Sequence, residues 1–380
     1  MLQDETSIKR QLHRDRVFIP PYCPNAKCPF HLKRGEPFFR RHGNYKLKRF
    51  PYTSTRFICK HCNRSFTVSF FKLYYRQKIW GQNETIFNLH ILGVSKRETA
   101  RQINHSEHLV RIRFLKLARW ALIAHAKRSE NLMISEPIVY DGLENFSFSQ
   151  YDPNNLNHAV GKNSLFIYDF NLAPINRKGR MSIRQKARLR FLDEKFGRYP
   201  SDAIRSTTTK IFQRLSAKAN GALTLYSDRH FQYERSVKFD LSERKIEHIR
   251  VSSKIARNFK NHLFAVNNID LQARHNLACF KRETIAFSKH SIAMLEGFVL
   301  YAIYRNYMRP KFWGTHRSDP LSCKNSPDME LRLTDSIFQF KDFFRERVCL
   351  SQVRLHGDWQ HLHDRIDPYS RQVIATSATI

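Results

Sequence analysis

Three carboxylates and four thiols carry most of the chemistry that this sequence can be read for. Ala222-Leu223-Thr224-Leu225-Tyr226-Ser227-Asp228 is an apolar, β-favouring run that ends on an aspartate, and Pro137-Ile138-Val139-Tyr140-Asp141 has the same shape. Strands commonly stop at turns built from Gly, Pro or Asn. Stopping on a carboxylate instead sets charge at a sheet rim, where it is costly unless something binds it. Aspartate is also an ordinary turn residue, so either one alone would mean little. Two strands delivering Asp141 and Asp228 to one sheet edge could hold a divalent metal between them. Glu296 is the third acid, set inside the stripe Ile292, Leu295, Val299, Ala302 and Ile303 of a helix expected within 284–309. A glutamate on a core-facing stripe needs a cation or a donor, or it takes up a proton. A metal shared with the aspartates would meet that need, and so would a buried salt bridge to an arginine.

The thiols form two knuckles, Cys23-Pro24-Asn25-Ala26-Lys27-Cys28 and Cys59-Lys60-His61-Cys62. Each knuckle can aim two sulfurs at one ion, and tetrahedral zinc takes four such ligands. The spacer is aromatic and β-rich (Phe38, Phe39, Tyr45, Phe50, Tyr52, Phe57), and Ser65-Phe66-Thr67-Val68 reads as a further strand. Together they make a zinc-ribbon pattern with one structural zinc, whose binding supplies most of the folding free energy of so small a core. His31 and His61 are alternative ligands that four cysteines make unnecessary. Cys279, Cys323 and Cys349 are scattered and read as reduced thiols.

The elements that position these groups follow from composition and pattern. A formal charge of +33 and a pI near 10.2 call for a polyanion, and nucleic acid is the usual one. A ribosomal or membrane-surface protein is the blander alternative, but 13% aromatic and 41% hydrophobic residues imply a real core. There is no eighteen-residue apolar run and no signal-peptide pattern, so a soluble, cytoplasmic, nucleoid-associated protein without a membrane partner is expected. Residues 1–21 read as a basic arm and 22–79 as the zinc ribbon. Residues 80–128 read as three helices, the second opened by Ser95 and Glu98 and the third carrying Arg111, Arg113 and Lys116. Two short helices and a basic third one describe a helix-turn-helix that reads DNA; three core helices with solvated charges would look similar. After a linker at 129–136, strands are expected at 137–150, 164–170, before Asp228 and at 246–251, with helices at 182–197 and 201–218. That order implies an α/β domain over 133–310 with a mixed sheet flanked by helices. Residues 311–380 form a C-terminal extension, helical over 326–347. With only twelve glycines and no Gly-rich phosphate loop, no nucleotide cofactor is expected.

The most specific run is Asn268-Ile269-Asp270-Leu271-Gln272-Ala273-Arg274, followed by Lys281-Arg282-Glu283-Thr284-Ile285-Ala286-Phe287-Ser288-Lys289. It resembles the Asn-x-x-Leu-x-x-Arg and basic-x-Thr-x-x-Phe-Ser-basic signature of DDE-type transposases of bacterial insertion sequences, the insertion-sequence-one family in particular. The likeness covers about residues 22–310 and is weak around 171–220, where this chain carries a longer insertion. It implies a ribonuclease-H-like catalytic domain behind the zinc ribbon and helix-turn-helix. Asp141, Asp228 and Glu296 would be the catalytic acids, holding two Mg²⁺ or Mn²⁺ ions. The reaction implied is DNA cleavage and strand transfer, with double-stranded element ends and target as partners and a homodimer or higher oligomer on DNA. Glu283 stands where the signature is usually basic, and Asp169 at a position the family does not use for catalysis. Two departures stand out: Gly142 and Leu143 separate Asp141 from Glu144, where the family places Glu directly after Asp, and Ile303 occupies a position that is often basic. A non-enzymatic DNA-binding regulator, or a nuclease of the same fold without strand transfer, is the alternative.

Overall fold

The structure, a computed structural model, describes residues 18–33, 37–47, 52–79, 81–281, 284–312 and 324–367. Most of the basic arm, Phe50, Arg282, Glu283 and Cys323 lie outside the described residues. The chain divides into two compact units, Met1–Gly81 with Gln339–Arg354 and Gln82–Phe338 with Leu355–Ile380. The three N-terminal helices therefore share a unit with the main sheet, and the C-terminal extension is split between the units.

The first unit is built on an antiparallel sheet of β1 (Phe39–Lys46), β2 (Thr53–Cys59) and β3 (Ser65–Thr67), in that order. Its core is a set of packed rings, with Tyr22, Phe38, Phe57, Phe66 and Phe71 buried beside Cys23, Cys28 and Cys59. Aromatic side chains give this small unit the most buried area per residue. Residues 339–354 return to close it. The Tyr22 hydroxyl donates to the Arg347 carbonyl at 2.5 Å, and Gln352 Nε2 donates to the His31 carbonyl at 2.8 Å. The long helix expected over 326–347 is not formed; only the single turns Pro327–Glu330 and Phe340–Phe343 are helical there.

The second unit opens with α1 (Asn83–Ile91), α2 (Lys96–Gln102) and α3 (Glu107–Arg128). Gly93, at φ +78°, turns the chain out of α1. Ser95 Oγ accepts the Glu98 amide at 3.2 Å, and Ser106 Oγ accepts that of Leu109 at 3.2 Å, so both later helices start on a serine cap. Next come β4 (Ile138–Phe146), β5 (Pro153–Gly161), β6 (Ile167–Pro174), α4 (Ile183–Phe196), α5 (Ala203–Lys218), β7 (Leu223–Asp228), α6 (Phe231–Arg235), β8 (Ile246–Val251), α7 (Phe264–Asn276), α8 (Ser291–Ile303) and α9 (Gly357–Asp364). The sheet order is β6-β5-β4-β7-β8, with β5 antiparallel to both neighbours and β7 and β8 parallel to β4.

Alternation along the strands sends odd and even residues to opposite faces. Tyr140, Leu223 and Leu225 turn to one face and pack with Ile211, Phe212 and Leu215 of α5. The opposite face is covered by α7 and α8, and α3 packs along α8. β5 has no counterpart in the pattern reading, because its Asn154, Asn155 and Asn157 are turn-type residues. It is nonetheless central and buried. The Asn157 amide is satisfied from afar: its Nδ2 donates to Asn171 Oδ1 at 3.0 Å and to Thr207 Oγ1 at 3.0 Å.

Candidate metal centre and carboxylate site

The two cysteine knuckles face one another. Cys23 and Cys62 sulfurs are 3.6 Å apart and Cys28 and Cys59 sulfurs 3.8 Å, and all four lie within 4.8 Å. A tetrahedral zinc with bonds of about 2.3 Å sets its sulfurs roughly 3.8 Å apart, so the four could bind a metal such as zinc. His31 is not a fifth candidate: its Nδ1 is 2.7 Å from the Cys23 carbonyl and its Nε2 2.7 Å from Ser351 Oγ.

At the sheet, parallel pairing of β4 with β7 puts Tyr140 beside Ser227. Asp141 and Asp228 are the next residues on these two strands and share a face. On the antiparallel side Asp141 pairs with His158 of β5. The acid that meets them is Asp270 of α7, whose Oδ1 lies 3.1 Å from His158 Nε2. Burial, then the charges of Asp270 and Asp228, raise the Asp141 pKa to about 7. His158 is fully buried, which disfavours its charge, yet Asp270 and Asp141 outweigh burial and its pKa is raised. The three aspartates and His158 therefore form one electrostatic group. Among the described residues the cysteines are the one group of His, Cys, Asp or Glu drawn close enough to share an ion as they stand.

Glu296 is placed elsewhere, which corrects its assignment beside the aspartates. Arg365 Nε lies 2.9 Å from its Oε1, and burial raises its pKa against the charges of Arg365, Lys96, Arg119 and Arg111. Met294, two residues before it, meets Asn145 of β4, and Phe298, two residues after, meets His158 and Phe170. A residue midway between two sheet-facing ones is turned about 200° from each. The apolar stripe misled because α8 is buried on nearly every side, so hydrophobicity marks no single face. Asp270 is the helix acid that meets His158 and acts on Asp141. It lies four residues after Val266 and three before Ala273, both buried, the same signal that singled out Glu296.

The other acids take structural parts. Asp169 is buried and paired with Arg214, at 2.6 Å from Nε. Glu144 alternates to the face opposite Asp141. Gly142 stands where a side chain would collide, since an added Cβ would lie 1.9 Å from Asn155 Nδ2. Of the expected DNA-contacting residues, Arg111 is exposed and Lys116 half-buried, with its Nζ 5.9 Å from the Trp120 ring centre. Arg113 is only 6% exposed and cannot reach a duplex, a second correction.

Strands β4, β6, β7 and β8 all run one way, so their C-terminal ends share one edge of the sheet. The segments that follow carry exposed cations: Lys178 and Arg180 after β6, Arg229 after β7, and Lys254, Arg257 and Lys260 after β8. His230, two residues beyond Asp228, has its pKa lowered by burial and by Lys178, against the pull of Asp228. The acidic group thus has a basic rim.

Fold and sites define a mixed α/β protein: a five-stranded mixed sheet flanked by helices, and a four-cysteine cluster fit for a metal such as zinc. No protein-family model matches the chain, and neither does any curated protein. Among the described residues no helix is long and apolar enough to cross a membrane.

Proposed function

We propose that this chain is a metal-dependent DNA-cleaving and strand-transferring enzyme, a DDE-type transposase whose acids are Asp141, Asp228 and Asp270. The observation that carries the reading is the register that sets Asp141 of β4 next to Asp228, the last residue of β7, with Asp270 against His158, the cross-strand partner of Asp141, and exposed cations in the segments beyond. Strand order β6-β5-β4-β7-β8, with β5 alone reversed, is the order of ribonuclease-H-like sheets and agrees with the resemblance in sequence. Three carboxylates gathered around one histidine offer hard oxygen donors, which suit magnesium or manganese. When bound, a pair of such ions activates the attacking oxygen and stabilises the leaving one. Among the chain's own residues, Asp141, Asp228 and Asp270 would hold the ions, His158 fixes the Asp270 carboxylate, and the rim cations orient the phosphate backbone. The exposed first turns of α3, with Arg111, and of α2, with Arg97, suit a helix-turn-helix that binds element ends.

The test is incubation with DNA carrying the element's ends and Mg²⁺, reading strand-transfer products for single variants. Asp270→Ala is expected to lose several orders of magnitude, as transition-state charge is left unstabilised. Glu296→Ala should keep its rate per folded molecule and lose stability, by roughly 1–3 kcal/mol. That is less than for a fully buried pair, because Arg365 is 37% exposed. The reverse pattern would return the third place to Glu296. DNA binding without products from the unaltered protein would favour the non-enzymatic regulator.

A further inference from the structure

The stretch from Arg177 to Arg198, the insertion between β6 and α5, holds nine cations against the two carboxylates Asp193 and Glu194. At its centre is α4, fourteen residues and about 21 Å long, with Leu192 as its one buried residue. Arg184 and Arg188 stand four apart along it, as do Lys186 and Arg190, and all four are exposed. Like charges at that spacing oppose the helix they sit on, and Arg188, over the Phe191 ring at 5.2 Å, has a partner on the helix itself. The segment leaves the sheet at the end of β6, on the edge where β7 ends in Asp228. Its Lys178 is near enough to His230, two residues beyond Asp228, to act on that ring.

We propose that α4 is a second DNA-binding element, which grips the phosphate backbone of duplex lying across the aspartate edge. The inference rests on the reading of that edge as a DNA-processing site and adds where the duplex runs. The two rows, each with a repeat of about 6 Å, lie about 200° apart around the helix, so they meet phosphates on the two sides of a groove as charges and read no base. The α1–α3 helices would then hold the element end, while α4 holds the DNA at the reacting strand irrespective of sequence. An anionic membrane is the other polyanion such a helix would fit, with Ile183 88% and Phe191 48% exposed.

The experiment uses the full chain, zinc-loaded, in buffer without magnesium, so binding is read whether or not cleavage occurs. Affinity for a duplex of random sequence is measured over a range of salt for the quadruple variant Arg184→Gln/Lys186→Gln/Arg188→Gln/Arg190→Gln. The comparison variant is Arg244→Gln/Lys245→Gln, exposed cations just before β8 at the opposite sheet edge. Every phosphate that a variant no longer neutralises lowers the slope of log affinity against log salt by about 0.9. A fall of roughly two to four is expected for the quadruple variant, and little for the comparison variant. An unchanged slope and affinity would overturn the inference while leaving the enzyme reading intact. So would loss of binding to phosphatidylserine vesicles alone. Loss of duplex binding in a protein that never cleaves would sustain the inference and sink the enzyme.

Discussion

Asp141 holds the largest electrostatic tension on the proposed catalytic edge. Its carboxyl titrates near 7 in the fold against 3.8 in a free chain, because burial, Asp270 and Asp228 all disfavour its charge. A raised folded pKa means that this residue's stability contribution is present below the ordinary carboxylate range and is lost as pH rises through about 7. Each pKa unit is worth about 1.4 kcal/mol. Asp141→Asn, which cannot ionise, should therefore be more stable than the unaltered protein at pH 8 without magnesium, by roughly 2–4 kcal/mol. The gap should close steadily toward pH 4. Magnesium should narrow it at pH 8 by stabilising only the unaltered chain. Urea unfolding at a series of pH values checks this, and a gap independent of pH would refute it.

Among the elements, β4 shows how one position ties a strand to its neighbour. Gly142 is needed because the Asn155 amide fills the space of its missing side chain. Asn155 is itself held by Asn157, its Nδ2 donating to Oδ1 at 2.9 Å. Gly142→Ala should cost about 1–3 kcal/mol by overpacking, and Asn155→Ala roughly 1–2 kcal/mol through weakened hydrogen bonding. The double variant should cost less than the sum by at least about 1 kcal/mol, since vacating the amide makes room for the methyl. Strict additivity in a double-mutant cycle would show that the two do not compete. The same crowding explains why this chain lacks the Glu that its resemblance places directly after the first aspartate. Helix α8 makes the complementary point: surrounded by α3, β6 and α1, it hides a charged residue on a side that its apolar pattern cannot identify.

For the whole molecule, metal and charge set the conditions for folding and association. The first unit has a small aromatic core, and its four thiols hold the knuckles together only when a metal joins them. Cys59→Ser is expected to remove the zinc, by elemental analysis, and to unfold that unit. The second unit should still unfold cooperatively at its own temperature. Full zinc content in this variant would rule out the four-cysteine site. The second unit brings the acids together beside a rim of exposed cations, the arrangement that the proposed reading needs.

Whatever depends on spacing along the chain is legible in the residues alone. The two cysteine knuckles come together as their intervals imply. Asp141 and Asp228 lie on adjacent parallel strands, and the helices expected at 182–197 and 201–218 are Ile183–Phe196 and Ala203–Lys218. Only the tertiary structure decided what depends on neighbours distant in sequence. Strand β5 was illegible because its asparagines look like turn residues until Asn171 and Thr207 supply their partners. Arg113 reads as a surface cation, yet it is buried on a helix that packs against α8. Asp270 and Glu296 both sit among apolar residues at helical spacing. Periodicity records that a side chain is turned inward, but which charge awaits it there is set by packing. His158 and the aspartates face Asp270, and Arg365 faces Glu296.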